Sequence, residues 1–223
     1  MNLSELNPFW LTLITATIST VLILPPGILL AWLLARKKFP LKSLVETVAS
    51  LPLIMPPVAT GLILLKLLGR RGAIGTIFHD LFQSEIVFTW RAVVAAMAVM
   101  SFPFIVRTAR VAFEEVSLRY EQVARTLGSG PWRVFRSITL PLATRGIVAG
   151  CALAFGRAIG EFGATVLVAG NIPGKTSTLS VSIYFLIQLG QDREALNLVL
   201  VSLIPCFLSL YFSEIVLRKK RES

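Results

Sequence analysis

The two charged residues Arg157 and Glu161 lie four positions apart within a long apolar stretch, residues 144–168. On a helix, this spacing places both side chains on one face, where they can form an ion pair. Inside a membrane, an unpaired charge costs about 2.5 to 3.5 kcal/mol on insertion scales. Two interpretations are open: a structural pair that fixes the rotation of its helix, or a carboxylate near the gate of a pathway.

Few other residues have the pattern of an enzyme or metal site. The only histidine is His79, and neither an H-E-x-x-H nor a G-x-S-x-G pattern is present. Cys151 and Cys206 stand alone within apolar runs, without the neighbouring ligands that a metal site requires. We therefore expect no catalytic residue, no metal and no cofactor in this chain.

Residues 169–176, with the sequence Ala-Gly-Asn-Ile-Pro-Gly-Lys-Thr, come close to the pattern of a phosphate-binding loop. The context argues against nucleotide binding, because the stretch follows an apolar helix and not a strand. Pro173 also removes one of the N–H groups that would cradle a phosphate. We expect instead a loop that faces a partner or lines an outer gate.

The composition indicates what kind of scaffold positions these residues. Of the 223 residues, 55% are apolar and only 15% are charged, which is typical of an integral membrane protein. The net charge of +10 comes from cations at the ends of apolar runs, and not from one basic face. This distribution favours contact with membrane lipid and argues against nucleic-acid binding.

Five apolar stretches are long enough to cross a hydrocarbon core of roughly 30 Å as helices. They lie near residues 9–35, 45–68, 92–112, 144–168 and 195–217. A further run, Leu179 to Leu189, is too short to cross, so we expect a re-entrant or interfacial helix there. The prediction is one all-α transmembrane domain over residues 1–223, with five transmembrane helices.

The distribution of Lys and Arg predicts the orientation, because these residues are retained on the cytoplasmic side of span ends. An outside N-terminus places fifteen of the 22 cations in the cytosol, in segments 36–42, 107–145 and 218–221, and five on the other side. We therefore predict an N-terminus outside the cytosol and a cytoplasmic C-terminus.

Prolines interrupt three of the predicted spans. Pro25-Pro26-Gly27 lies in the first, Pro52 and Pro56-Pro57 lie in the second, and Pro103 lies in the third. Each proline removes a backbone hydrogen bond that lipid cannot replace. Packing kinks are one explanation, and broken helices that line a transport route are the other. Three interrupted spans in so small a protein favour a route.

Between the third and fourth spans, the pattern predicts an amphipathic helix from Phe113 to Leu127 in the cytosol. Apolar side chains recur every three or four positions, and charged side chains, including Glu121, take the opposite face. Glu121 and Arg125 have the spacing of a helical ion pair. Gly128 is expected to end the helix. Either lipid or a protein partner could hold such a helix.

The spacing that follows this helix carries a resemblance to a known family. Gly128 lies ten residues before Ile138, which begins the string Ile-Thr-Leu-Pro that ends at Pro141. This pattern resembles the cytoplasmic loop of binding-protein-dependent ABC importer permeases, in which the loop is a coupling helix that docks in a cleft of an ATPase subunit. We therefore name residues 113–141 the coupling segment. The residues implied to contact the ATPase are Glu121, Gln122, Ala124, Arg125, Leu127 and Gly128.

One position departs from the family pattern. The family usually has Glu-Ala-Ala starting six residues before the glycine, where this chain has Gln122-Val123-Ala124. Glu121 offers an acidic group one position earlier. The sequence thus leaves open which side chain meets the ATPase.

Other strings extend the resemblance over essentially the whole chain, and together they are similar to molybdate permeases and, less closely, to sulfate permeases. The strings are Leu51–Val58, Gly69–Gly72, Met100–Pro103, Gly160–Ala164 and Asn171–Gly174. The resemblance implies the ABC type I importer permease fold and a molybdate importer in the bacterial inner membrane. The implied partners are an ATP-binding ABC subunit that holds ATP and Mg, a periplasmic molybdate-binding protein, and a second copy of the chain. Sulfate or tungstate import and a secondary transporter are the alternatives.

The resemblance also makes the helix breaks candidates for the route of an oxyanion. A carboxylate is a poor ligand for an anion, so we expect Glu161 near a gate and not on the substrate. We expect two phenylalanines to help close an apolar constriction, and three hydroxyl side chains to offer weak contacts. The predicted pathway residues are Pro56, Pro57, Thr60, Ser101, Phe102, Glu161, Phe162 and Thr165.

Overall fold

The computed structural model describes residues 7–218, and all of its regular elements are helical. The helices are α1 (Pro8–Arg36), α2 (Lys42–Ser50), a 3₁₀ turn (Leu51–Leu53), α3 (Pro57–Leu68), α4 (Ala73–Phe82), α5 (Trp90–Glu115), α6 (Leu118–Thr126), α7 (Pro131–Ile159), α8 (Gly163–Ala169), α9 (Leu179–Gln188) and α10 (Asp192–Arg218). Helix α7 contains a π-helical turn at Phe135–Thr139. The predicted all-α fold is confirmed. The predicted cytosolic cations Lys219, Lys220 and Arg221 lie outside the described residues.

Four helices, α1, α5, α7 and α10, are long and apolar enough to cross a membrane. Helices α2 and α3 together would make a fifth crossing, but they meet at a bend of 108°. Pro52 lies in the 3₁₀ turn and Pro56 precedes the first residue of α3, so the prolines do break the second span as predicted.

Helix α5 forms the centre of the described bundle, with α1 on one side and α7 on another. Small buried residues let the helices approach closely. Ala16 of α1 packs in one cluster with Ala96 of α5, and Ala31 of α1 packs in a second cluster with Ala109 of α5.

Helix α1 continues through Pro25 and Pro26, so a broken helix, one of the two explanations for these prolines, is wrong for the first span. The helix packs along α5 at this point, since a Cβ on Gly27 would lie 2.7 Å from the Ile105 side chain. Neighbouring helices commonly stabilise a proline-containing membrane helix in this way. Helix α5 likewise continues through Pro103.

The predicted fourth span ends earlier than expected, because α7 stops at Ile159 and a separate short helix, α8, begins at Gly163. The glycines of α7 serve packing within this chain. A Cβ on Gly150 would lie 3.0 Å from Thr108 of α5, and one on Gly156 would lie 2.9 Å from Ser209 of α10.

The short apolar helix α9 corresponds to the run that we predicted not to cross. Its first N–H, that of Leu179, donates a 2.8 Å hydrogen bond to Thr12 Oγ1 of α1. This bond fixes the start of α9 beside the N-terminal turns of α1. Entry of α9 into the membrane stays a prediction.

Candidate functional site

The coupling segment begins with a break that the sequence pattern did not predict. Helix α5 ends at Glu115 and α6 begins at Leu118, so the single helix expected from Phe113 to Leu127 is wrong. Ser117 lies at the break, and its Oγ accepts a hydrogen bond from the Arg119 N–H at 3.3 Å. Serine favours this capping position over a helix interior, which explains why a new helix starts here.

The end of α6 has the hydrogen bonds of a Schellman motif. The Gly128 N–H donates to the Arg125 carbonyl, and the Ser129 N–H donates to the Ala124 carbonyl, both at 3.0 Å. Gly128 has φ of 84°, a left-handed conformation that disfavours residues with a Cβ. The predicted role of Gly128 as the end of the helix is confirmed.

The burial of α6 differs from the sequence prediction in two ways: Glu121 is buried and the apolar face is exposed, whereas Gln122 and Arg125 are exposed as predicted. Glu121 is only 6% exposed, whereas Val123 is 52% and Leu127 is 80% exposed. The carboxylate turns inward because it finds opposite charge there. The apolar side chains therefore remain on the surface, where water alone does not favour them.

These apolar side chains line an open groove of about 950 Å³ between α6 and the first turns of α7. The residues that line it are Ser117, Arg119, Tyr120, Val123, Ala124, Leu127, Ser137, Ile138, Pro141 and Leu142. Two residues of the family-like string, Ile138 and Pro141, thus contribute one wall. Of the six predicted coupling residues, Ala124 and Leu127 line the groove, Gln122, Arg125 and Gly128 are exposed, and Glu121 is buried.

Glu121 is the centre of a buried polar cluster. Its Oε1 lies 2.9 Å from Arg36 Nε and accepts a 3.0 Å hydrogen bond from Thr139 Oγ1. Its Oε2 lies 3.8 Å from Arg125 Nη2, which confirms the predicted pairing of Glu121 with Arg125. Within the described part of the chain, the Arg36 Nε–H makes no aligned hydrogen bond, so its contact with Glu121 is an ion pair.

Sequence reasoning missed Arg36 and Thr139 as partners of Glu121. In the sequence analysis, Arg36 was only one of the cations that orient the first span. It lies 85 positions before Glu121, so no local sequence pattern could predict their contact. Arg36 Nη2 also donates a 2.7 Å hydrogen bond to the Val116 carbonyl, at the break between α5 and α6.

Phe135 fixes the other half of the coupling segment. Its ring lies 5.3 Å from that of Trp32 on α1, 6.2 Å from that of Phe113 on α5, and 5.4 Å from that of Trp132. Aromatic pairs at these distances contribute beyond their buried area. Trp132 itself is largely exposed, shortly after the turn at Gly128.

The predicted pair of Arg157 and Glu161 forms, with Arg157 Nη2 at 2.7 Å from Glu161 Oε2. Glu161 is buried, and its Oε1 accepts a 2.8 Å hydrogen bond from the Ala164 N–H in the first turn of α8. Both oxygens of the carboxylate are thus engaged within the chain.

The predicted break at Pro56-Pro57 contacts a second break, between α7 and α8, that the sequence did not predict. A Cβ on Gly163, at the start of α8, would lie 2.7 Å from the Pro57 side chain, next to Pro56 at the bend before α3. Along the paired helices α3 and α8, a Cβ on Gly61 would lie 2.8 Å from Ala164 Cα. The two helices can approach this closely because positions 61 and 163 are glycines, which have no side chain.

The three predicted hydroxyl groups are placed on three packed helices, with Thr60 on α3, Ser101 on α5 and Thr165 on α8. All three residues are buried, and their side-chain oxygens have no hydrogen-bond partner within the described residues. Such unpaired hydroxyls are unusual in a folded interior.

The two predicted phenylalanines lie in different surroundings. Phe102 packs with Ile23 of α1 in an apolar cluster, while the Phe162 ring lies 4.9 Å from that of Tyr184 on α9. No ring contact joins Phe102 to Phe162 in the part of the chain that the structure describes. A shared constriction of these two residues stays a prediction.

The loop that resembles a phosphate-binding sequence closes on itself. Thr176 Oγ1 accepts a 2.9 Å hydrogen bond from the Ile172 N–H and donates one of 3.3 Å to the Gly170 carbonyl. These bonds occupy groups that a phosphate cradle would keep free. Among residues 7–218, no group of three His, Cys, Asp or Glu side chains could hold a metal ion.

Comparison with known proteins places these features in one family. The family described as "Binding-protein-dependent transport system inner membrane component" matches residues 27–222. The chain is 47% identical to the molybdenum transport system permease protein ModB of Escherichia coli (strain K12) over 221 residues, covering 97% of this chain and 96% of that protein. It is 36% identical to the sulfate transport system permease protein CysT of Escherichia coli (strain K12) over 202 residues, which cover 91% of this chain and 72% of that protein.

Two solved structures share the fold. A bacterial ABC transporter involved in the import of the acidic polysaccharide alginate has a TM-score of 0.68 at 16% identity, covering 95% of this chain and 78% of that one. The MetNI methionine ABC transporter has a TM-score of 0.66 at 20% identity, covering 94% and 93% of the two chains. The predicted importer permease fold is confirmed. By its sequence over nearly its full length, this multi-pass membrane protein belongs to the family of binding-protein-dependent transport system inner membrane components.

Proposed function

We propose that the chain is the membrane-spanning permease subunit of an ATP-driven importer for molybdate. One observation carries the coupling part of this proposal: the apolar face of α6, with Val123 and Leu127, is exposed beside an open groove. An apolar groove of this kind fits a partner protein better than water. The substrate assignment is supported by 47% identity to a molybdenum transport permease over nearly the whole chain.

The proposed assembly contains a pair of these permeases, two ATP-binding ABC subunits and a periplasmic molybdate-binding protein, within the lipid of the bacterial inner membrane. ATP and Mg belong to the ABC subunits, and the permease is not itself an enzyme. Positive-inside orientation supports a periplasmic N-terminus and a cytoplasmic C-terminus. The coupling segment then lies on the side where ATP is available.

In this proposal, closure of the ATPase pair on ATP displaces α6, and the contacts of α6 with the bundle carry the displacement to the membrane helices. The bend at Pro56-Pro57 and the helix break at Gly160–Phe162 provide elements that can change angle. The unpaired hydroxyls of Thr60, Ser101 and Thr165 offer weak contacts for an oxyanion. Weak contacts suit this task, because the binding protein supplies the affinity and tight binding in the route would slow release.

Sulfate is the second candidate, since the chain is 36% identical to a sulfate transport permease. Tungstate is a third tetrahedral oxyanion with similar chemistry. The higher identity and nearly equal length of the molybdenum permease favour molybdate.

Purified permease, ATPase and binding protein test this proposal in one assay. We expect molybdate-loaded binding protein to stimulate ATP hydrolysis by the complex, and sulfate-loaded binding protein to stimulate it much less. Tungstate serves as the close chemical control. Stimulation by sulfate without any response to molybdate would overturn the substrate assignment and leave the permease assignment intact.

A further inference from the structure

The pair of Arg36 and Glu121 joins two elements that lie far apart in the sequence. Arg36 is in the last turn of α1, and Glu121 is in the first half of α6. Their side chains are 9% and 7% exposed, and Arg36 Nε lies 2.9 Å from Glu121 Oε1. A charge with so little exposure is costly unless an opposite charge lies beside it. Each side chain therefore needs the other.

The same carboxylate oxygen also meets α7. Thr139 in the π-helical turn donates its hydroxyl to Glu121 Oε1 at 3.0 Å. One oxygen of α6 is thus held by α1 and by α7 together. A π-helical turn is a local irregularity that frequently marks functional sites.

Arg36 holds a second point of the coupling segment. Its Nη2 donates a 2.7 Å hydrogen bond to the carbonyl of Val116, the residue at which α5 gives way to α6. One guanidinium therefore contacts the break before α6 and the carboxylate within α6. The planar fork of arginine suits two such contacts at once, which a lysine could not reproduce.

The groups of α6 that a partner could reach lie on the opposite side. Gln122, Val123 and Leu127 are exposed, while Glu121 faces the bundle. Gln122 stands at the position where the family pattern usually has glutamate. The acidic side chain one position earlier does not replace it at the surface.

We infer that Arg36 and Glu121 are positioning residues that tie the coupling segment to the first span, and that Glu121 does not contact the ATPase. This inference rests on the proposed function, since it assigns Gln122 and the apolar face of α6 to the ATPase contact. A displacement of α6 then moves the cytosolic end of α1 and the first turns of α7 with it.

Labelling of single cysteines tests which way Glu121 faces. In a permease with Cys151 and Cys206 replaced by alanine, Leu127→Cys should react rapidly with a bulky water-soluble maleimide and become protected when the ATPase binds. Glu121→Cys, made together with Arg36→Met so that no buried charge is left unpaired, should react about tenfold more slowly, with no change on ATPase binding, because burial restricts access to its thiol. Rapid labelling of Glu121→Cys that the ATPase blocks would overturn the inference.

A double-variant cycle tests the link without any cysteine. Arg36→Met and Glu121→Met should each lower the yield of assembled complex, because each leaves one buried charge unpaired, whereas the double variant should recover assembly. The recovered double variant should still lose about tenfold in the stimulation of ATP hydrolysis by molybdate-loaded binding protein, since α6 is no longer tied to α1. Arg70→Met, which removes an exposed ion pair with Glu85 outside the coupling segment, is the matched control and should change little.

If the losses of assembly from Arg36→Met and Glu121→Met are additive in the double variant, the two residues do not act as a pair. If the double variant keeps full stimulation of ATP hydrolysis, the pair has only a structural role, and the inference is overturned. These outcomes are distinct from a failure of the proposed function. If the unaltered permease binds no ATPase, the proposed function fails. If it binds the ATPase but the cycle is additive, only the inferred link fails.

Discussion

Arg157 Nη2 lies 2.7 Å from Glu161 Oε2, and the other oxygen of Glu161 accepts a hydrogen bond from the N–H of Ala164. The pair spans the break between α7 and α8, with the carboxylate satisfying an N–H in the first turn of the second helix. Such engagement supports the structural interpretation of the pair. If Glu161 acts at a gate, it does so by setting the angle between α7 and α8, and not by contacting the anion.

Replacement of Glu161 should therefore act mainly by lowering the stability of the permease, and not by removing a contact with the anion. We expect Glu161→Ala to cost about 2 to 3 kcal/mol, because Arg157 loses its partner and the Ala164 N–H loses its acceptor. Glu161→Gln should cost less, since its amide oxygen can still accept that N–H. Thermal unfolding of the purified variants in detergent measures the order. Equal stability of both variants with the native permease would contradict this role.

Gly61 should not tolerate a side chain, because α3 and α8 touch there. A Cβ at this position would lie 2.8 Å from Ala164 Cα, so Gly61→Ala must separate two packed helices. We expect a loss of about 1 to 3 kcal/mol and reduced uptake. Gly130→Ala is the control, since a Cβ on Gly130 would lie more than 4 Å from every neighbouring atom of the described residues. Comparable melting temperatures for the two variants would show that α3 and α8 are not in tight contact.

The buried hydroxyls of Thr60, Ser101 and Thr165 should matter for transport and not for stability. Because these groups have no hydrogen-bond partner among residues 7–218, Thr60→Val, Ser101→Ala and Thr165→Val should leave stability unchanged or raise it by up to about 1 kcal/mol. We expect uptake of molybdate to fall in the same variants if these groups contact the anion. Native uptake rates in all three variants would remove the hydroxyls from the predicted pathway.

Gly128 should be required for coupling because of its backbone. With φ of 84°, a Gly128→Ala variant bears a strain of about 1 to 2 kcal/mol and disturbs the turn that presents Leu127. We expect membrane insertion to persist while binding-protein-stimulated ATP hydrolysis falls. Gly130→Ala again serves as the control, because Gly130 has an ordinary φ of −67°. Equal stimulation in the two variants would argue against a role for the turn.

The long helices of this fold could be predicted from hydropathy because each membrane crossing requires about 20 apolar residues in succession. The break at Pro56-Pro57 could also be predicted, whereas continuity through Pro25 could not. Whether a proline breaks a membrane helix depends on the neighbour that packs against it, here Ile105 opposite Gly27. That neighbour is set by tertiary structure and leaves no trace in the local sequence.

The candidate site divides in the same way. The turn at Gly128 and the pair of Glu121 with Arg125 follow from local spacing, and both were predicted correctly. The inward orientation of Glu121 depends on Arg36, which approaches from another helix, so periodicity alone assigned Glu121 to the wrong face. Periodicity shows which residues share one side of a helix, but it does not show which side is buried, and in α6 the apolar side is exposed.

ATP-dependent uptake of labelled molybdate into proteoliposomes tests the central claim most directly. With permease, ATPase and loaded binding protein present, we expect uptake that requires ATP on the side of the coupling segment. The variant Leu127→Asp should abolish this uptake, whereas Leu127→Ala should only reduce it. A charge at this exposed apolar position opposes docking without disturbing the buried core. Molybdate uptake that proceeds without ATP or without the ATPase would contradict the account.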